Sequence, residues 1–445
     1  MNTVFTLFSF LIAITVLVGF HELGHFAVAR LFRVTVLTFS IGFGRPIWAT
    51  RGGANRTKFA IGTIPLGGYV KMLDDGDDVL PEDRHGIFDF KPAWQKILIV
   101  MAGPVANFVL TFVLLAMVFI LSNSVLKPVL GEPRVESELY AAGLRGGETL
   151  VEINGRRVSS WSDIRWEMTR FSGDTLNMAV LREGASTPET INLQLAEQDL
   201  PLNWDVIGIA TPRIELLPIV GRIERTGTAF QSDLVVGDLI VSADQKPIAT
   251  WTDFVQLVKS KPGETVSVDV ERDGRLVSFP LLVGLNKSSE GRIGVAPDPG
   301  GIVQDELIDR DGITVVDSII KSFYRTSDLI GFTARMIVGL FIGDVGLNNL
   351  AGPLMIADQA GKTAELGLTA FLSFLAVLSV SLGVINLFPL PMLDGGHLVF
   401  HLYELLLGKK MPERVIVTAQ QIGMICLTGL MVFVIANDVL RYLGD

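Results

Sequence analysis

Four stretches of this chain carry no charged side chain over lengths that can cross a membrane: residues 1–20, 97–121, 367–393 and 415–437. A hydrocarbon core takes about 17–25 helical residues to span. In lipid every backbone N–H and C=O must find its partner within the protein, so an isolated apolar segment of that length has to be a helix. This constrains the fold more than any other feature. The chain reads as an α-helical polytopic membrane protein with four transmembrane helices. Its composition agrees: 49% hydrophobic, 19% charged and a mean hydropathy of +0.46 are too apolar for an ordinary soluble protein. The first stretch lacks a basic start and a small-residue cleavage site, so it is read as a span and not as a removable signal peptide. A net charge of −10 without any basic run excludes nucleic acid as a partner. A single cysteine, Cys426, permits no internal disulfide.

Basic residues set the orientation. The loop between the first two spans holds Arg30, Arg33, Arg45, Arg51, Arg56, Lys58 and Lys71, with Lys91 and Lys96 before the second span. Lys409, Lys410 and Arg414 follow the third span. Both loops are expected on the cytoplasmic side. Asp74, Asp75, Asp77, Asp78, Glu82 and Asp83 dilute the first loop but lie far from its span ends. Both termini and the long segment 122–366 then face the other side, which in a Gram-negative cell is the periplasm.

That segment repeats itself at a constant offset of 90: Gly147-Glu148 against Gly237-Asp238, Val158 against Ile248, Trp161 against Trp251 and Asp163 against Asp253. Gly173-Asp174-Thr175 also matches Gly263-Glu264-Thr265, and Arg182-Glu183-Gly184 matches Arg272-Asp273-Gly274. A period this long is a whole small domain. Each copy reads as short strands, a Gly-acidic turn and an amphipathic helix starting near the Trp. The pattern resembles a PDZ domain, twice over, and implies that peptide ends are held by strand addition. The alternative is a pair of spacers that bind nothing. Residues 315–341 alternate apolar Val316, Ile319, Ile320 and Phe323 with Asp317, Lys321 and Arg325. They read as one or two helices lying on the membrane surface, or as a linker helix packed on the repeats. The expected division is a membrane part over 1–122, PDZ-like α+β domains over 123–217 and 218–308, surface helices over 309–366, and a second membrane part over 367–445.

The end of the first apolar stretch reads His21-Glu22-Leu23-Gly24-His25. Histidines at i and i+4 share one helix face and can reach one zinc, and the Glu between them can take a proton from a water that the metal acidifies. Ionisable groups ending an apolar span are costly in lipid and mark function. A catalytic zinc needs a third protein ligand. The first and third spans run in the same direction, so their far ends lie at similar depth. Asp394, His397 and His401 all follow the third span. Chemistry alone leaves Asp394 and His397 both open. Pro389 and Pro391 break the helix ahead of them.

The HExxH in a span, the later Asn386-x-x-Pro-x-Pro-x-Leu-Asp-Gly, the segment Ile64-Pro-Leu-Gly67-Gly68-Tyr69 and the tandem PDZ-like inserts together resemble the site-2 protease family, across essentially the whole chain. The resemblance implies a zinc held by His21, His25 and Asp394, with Glu22 as catalytic base and His397 and His401 as neighbours that do not bind metal. It implies a membrane-reentrant β-element over residues 62–72, where Gly67, Gly68 and Tyr69 receive substrate as an added strand. It also implies that the Asn386 amide holds the substrate backbone or the developing oxyanion. The substrates would be single-span proteins already shortened on the periplasmic side: an anti-sigma factor of the envelope stress response, and remnant signal peptides. The enzyme would sit in the bacterial inner membrane with its site toward the cytoplasm.

Plainer roles stay open beside these. Asp394 suits a helix N-cap, Asn386 a helix cap, and residues 62–72 an ordinary cytoplasmic hairpin. Gly103-Pro104 and Asn107 would either line the site or serve close helix packing. Two rival functions also stand. A PDZ membrane scaffold with a structural zinc would need no Glu22. A metal transporter would show ionisable groups spread through its other spans.

Overall fold

The computed structural model describes residues 3–444 except 53–56, 76–84, 122–124, 172–174, 183, 195–206, 213–214, 225–226, 287–289, 299–300, 302, 304, 310–313 and 344–351. Arg56, Asp77, Asp78, Glu82, Asp83, Gly173, Asp174 and Glu183, singled out in the sequence, lie outside the described residues. The chain forms two compact units: residues 1–123 with 313–445, and residues 124–312.

The first unit begins with α1 (Thr3–Leu31), followed by strands β1 (Val36–Gly52) and β2 (Thr57–Met72) and by α2 (Ala93–Leu121). After the insertion come α3 (Val315–Ile342), α4 (Pro353–Leu366), α5 (Leu368–Leu387), α6 (Asp394–Leu407) and α7 (Glu413–Gly444). Among the described residues, α1, α2, α5 and the stretch Glu413–Val439 of α7 are long and apolar enough to cross a membrane. Two of the differences between these helices and the charge-free stretches bear on the site. α1 continues past Phe20 to Leu31, so the HExxH sits inside an unbroken helix. α5 stops at Leu387, because Pro389 and Pro391 cannot extend it, and a separate helix starts at Asp394.

α2 is the hub, packing against α1, α3, α5 and α6. α1 meets it along one stripe, Ser9, Ala13, Leu17, His21, His25 and Ala29, one buried residue in every four. The approach is close enough to require glycine: a Cβ on Gly24 would lie 2.2 Å from the Ala102 carbonyl oxygen.

α3 covers the segment read in the sequence as one or two surface helices. It is one helix whose buried face is Ser318, Ser322, Thr326 and Leu329, while Val316, Ile319, Ile320 and Phe323 point outward. It packs on α2 and α5. Two of the three buried hydroxyls bond within the helix: Ser322 Oγ donates to the Ser318 carbonyl at 2.6 Å and Thr326 Oγ1 to the Ser322 carbonyl at 2.8 Å.

β1 and β2 pair irregularly. Residues 38–41 pair on one side with residues 58–61 and on the other with residues 68–71, and residues 48–52 pair with residues 57–61. Residues 62–72 are therefore the last part of a larger sheet than the sequence implied. Ile47, Trp48, Ile61, Ile64 and Tyr69 of this sheet are exposed.

The inserted unit contains two four-stranded sheets of the same order. One runs Arg156–Arg157, Thr149–Ile153, Thr175–Leu181, Glu189–Gln194; the other runs Lys246–Pro247, Leu239–Ala243, Thr265–Arg272, Arg275–Leu282. Each has its own apolar core. The repeat extends to the helix caps: Ser160 accepts from the Asp163 N–H ahead of Trp161–Arg170, and Thr250 from the Asp253 N–H ahead of Trp251–Ser260.

Candidate metal centre

The buried stripe of α1 points His21 and His25 at α2, with their Nε2 atoms 3.2 Å apart. α6 supplies the third group. Leu393 occupies its cap position and makes no side-chain cap bond, so Asp394 is the first helical residue and not the N-cap. Asp394 Oδ2 lies 3.1 Å from His21 Nε2 and 3.3 Å from His25 Nε2. α6 can start this close to the turn before it because Gly395 and Gly396 lack side chains. A Cβ would come within 2.1 Å of the Phe388 carbonyl at the first and 2.4 Å of the Leu390 carbonyl at the second.

These three atoms form a triangle with sides of 3.1, 3.2 and 3.3 Å. A tetrahedral zinc with ligands at about 2.0–2.1 Å needs ligand atoms about 3.3 Å apart. The electrostatics agree with the size. His25 Nδ1 is bonded to the Ile99 carbonyl at 2.8 Å and so carries a proton, which leaves a lone pair on Nε2. Three such acceptor atoms facing one another repel unless a proton or a metal cation lies among them. Asp394 Oδ2 is also buried without a hydrogen-bond partner. Among the described residues, His21, His25 and Asp394 are the group of metal-ligand side chains that converge in this way.

α2 holds the imidazoles from behind. The fully buried Asn107 amide lies 3.1 Å from His21 Nδ1, and its Oδ1 makes no bond. Turned by half a rotation, Oδ1 accepts the Nδ1 proton that a metal on Nε2 requires. The Ser379 and Thr111 hydroxyls donate to the Asn107 backbone carbonyl at 2.8 and 2.9 Å. Gly103 makes room for the rings: a Cβ there would lie 2.3 Å from His25 Nε2. Gly103 and Asn107 therefore both sit against the imidazoles.

Glu22, 9% exposed, turns from the same helix toward the sheet. The Val70 backbone is within hydrogen-bonding reach of its carboxylate, and a Cβ on Gly68 would lie 3.0 Å from Glu22 Cγ. Gly67 has φ of +154°, and a Cβ there would strike the Phe43 ring at 2.3 Å. That ring lies parallel to Tyr69 with centroids 6.3 Å apart. Residues 68–71 pair with residues 38–41 and, among the described residues, with no other strand, so this edge is open beside Glu22. Asn386 sits in the last turn of α5 with Nδ2 3.5 Å from His21 Nε2, while Phe388 holds the C-cap position.

The other histidines lie apart from the triangle. His85 is exposed. His397 faces a cavity of about 610 Å³ lined also by Pro391, Met392, Val417, Met424 and Ile425. Burial, and then the charge of Lys96, push His401 down to about 4, so it is neutral at physiological pH. Lys96 itself, counted in the sequence only as a loop cation, is 1% exposed and bonded to Glu404 at 2.9 Å. Its position within a helix was the signal that could have revealed it.

The chain matches the profile of peptidase family M50 over residues 9–430. It belongs to peptidase family M50. Like the family, it is an intramembrane zinc metalloprotease of the site-2 type, and a bacterial inner-membrane protein. The M50 relatives run the length of the chain. The regulator of sigma-E protease RseP of Escherichia coli is 37% identical over 97% of this chain and 98% of its own. A putative zinc metalloprotease of Vibrio cholerae is 36% identical over 97% and 98%. The regulator of sigma E protease of Haemophilus influenzae is 34% identical over 99% and 100%. Among solved structures, the PDZ domain of an SdrC-like protein from Listeria innocua is 20% identical over 18% of this chain and 92% of its own, with a TM-score of 0.17.

Proposed function

We propose that His21, His25 and Asp394 hold the zinc and that Glu22 is the general base for cutting a membrane-embedded peptide. One observation carries this: the triangle of 3.1–3.3 Å formed by three lone-pair atoms, with a carboxylate on the next helical residue. Zinc held by these three residues would supply a Lewis acid for the scissile carbonyl and lower the pKa of the attacking water. Glu22 takes the proton from that water and passes it to the leaving nitrogen. Asn107 and the Ile99 carbonyl keep both imidazoles in the ligating tautomer. The Asn386 amide donates to the substrate carbonyl oxygen as negative charge develops on it.

A helical substrate hides its peptide bonds, so it must be unwound before it is cut. The open edge at Gly67, Gly68 and Tyr69 receives the unwound segment as an added strand, directly beside Glu22. The exposed apolar residues of the sheet and of α3 face lipid, which makes the sheet a membrane-associated element. The metal site faces the cytoplasm and the inserted unit the periplasm, a reading that the basic residues of the two loops support. The two repeated sheets are PDZ-like domains that hold peptide C-termini or bar bulky substrates from the site. The substrates are single-span proteins already shortened on the periplasmic side, an anti-sigma factor of the envelope stress response and remnant signal peptides among them.

The test is cleavage of a tagged single-span substrate in membranes by wild type and Glu22→Gln, with bound zinc measured in both. Retained zinc with lost cleavage is expected. Cleavage by Glu22→Gln at the wild-type rate removes Glu22 from the mechanism.

A further inference from the structure

Lys96 lies one turn before Ile99 on α2 and is almost fully buried. Its Nζ donates to both carboxylate oxygens of Glu404, at 2.9 Å each, across 308 residues of sequence. Glu404 Oε2 is also 3.5 Å from His401 Nδ1, and the Phe88 ring packs against His401 at 5.7 Å. An ammonium is expensive to bury even when paired. No step of the reaction uses this one. Ten helical residues, about 15 Å, separate Glu404 from Asp394, so the pair does not touch the metal.

What the pair does is join the two helices that build the site. α2 carries the Ile99 carbonyl, Gly103 and Asn107, which orient the histidines. α6 carries Asp394. The fully buried residues of α6 are Gly395 and Gly396, which fix how near it comes to the preceding turn, and its other side chains are half-buried or exposed. Rotating a helix by about 10° carries an atom about 5 Å from its axis through about 0.9 Å. A metal site tolerates about 0.2 Å in a ligand distance.

We propose that Lys96 and Glu404 are positioning residues: their ion pair sets the rotation of α6 so that Asp394 completes the metal site. This rests on the assignment of Asp394 as the third ligand. The pair acts through that residue alone.

The experiment uses the full-length protein in detergent. It compares wild type with Lys96→Met, Lys96→Arg, the double change Lys96→Met with Glu404→Met, and Asp394→Asn. Zinc affinity is read by chelator competition, and ligand geometry by the visible absorption of the cobalt-substituted protein. The double variant removes both charges at similar volume, so it folds even where Lys96→Met alone does not. The expected result is a loss of about tenfold in zinc affinity and an altered cobalt spectrum in the methionine variants, with Lys96→Arg close to wild type. Asp394→Asn loses more. Wild-type affinity and cobalt spectrum in the folded double variant, with Asp394→Asn still defective, overturns the positioning role and leaves the ligand assignment standing. Wild-type zinc binding by Asp394→Asn overturns both.

Discussion

Replacing Gly103 by alanine tests the metal centre with a single methyl group. The added Cβ would stand 2.3 Å from His25 Nε2 and 2.7 Å from His21 Cε1, where 3.0 Å is the practical limit for such a contact, so it intrudes by 0.7 Å at the nearer atom. Neither ring can yield cheaply. His25 is tied at Nδ1 to the Ile99 carbonyl and His21 to Asn107, both on the helix that carries the methyl. A displacement of about 1 Å at a catalytic group costs about 10²-fold in rate, and the tolerated error in a ligand distance is about 0.2 Å. Zinc affinity and cleavage are therefore each expected to fall by about 10²-fold. The fold is expected to survive, because alanine is favoured over glycine in a helix by about 1 kcal/mol. The assay combines thermal melting of the metal-free protein, zinc affinity by chelator competition, and cleavage of a single-span substrate. A variant that melts like wild type, binds zinc fully and cleaves at the wild-type rate would show that the imidazoles do not stand where this geometry has them.

Two further outcomes are expected. Asn107→Ala removes the partner of His21 Nδ1 in a fully buried position, and zinc affinity falls about 10- to 100-fold with an unchanged melting temperature; chelator competition checks it. Asp438 on α7 accepts from the Gly352, Leu354 and Met355 N–H groups at 3.1–3.2 Å and caps α4. Asp438→Ala lowers stability by about 1 kcal/mol and leaves zinc affinity alone, as thermal melting beside metal titration will register.

What could be read before folding was whatever repeats or alternates locally. The charge-free stretches marked all four long apolar helices, and the spacing of His21 and His25 placed both on one face. The offset of 90 residues anticipated two copies of one small strand-and-helix unit, each with its helix starting at the Trp. Helix ends were harder. α1 runs past Phe20 because His21, Glu22 and His25 turn into protein and not into lipid. The third ligand could not be chosen, since Asp394 and His397 are one helical turn apart. Only the path of the chain through residues 388–393 aims one at the imidazoles and the other into a cavity. The buried face of α3 was hard to read for a related reason: it carries Ser318, Ser322 and Thr326, and the last two bond to carbonyls of their own helix and so lose the polarity that periodicity arguments rely on. Lys96 looks like any loop cation until Glu404 arrives from 308 residues away.

The membrane unit is assembled from two pieces of chain separated by an entire inserted unit. With the ligand set proposed above, 372 residues are synthesised between His21 and Asp394. At about 5–20 residues per second that takes roughly 20–75 s. Throughout that interval the first helix carries its two histidines and its glutamate among other newly inserted proteins, with no carboxylate to complete the centre. The order of the chain thus delays proteolytic competence until Asp394 has been made.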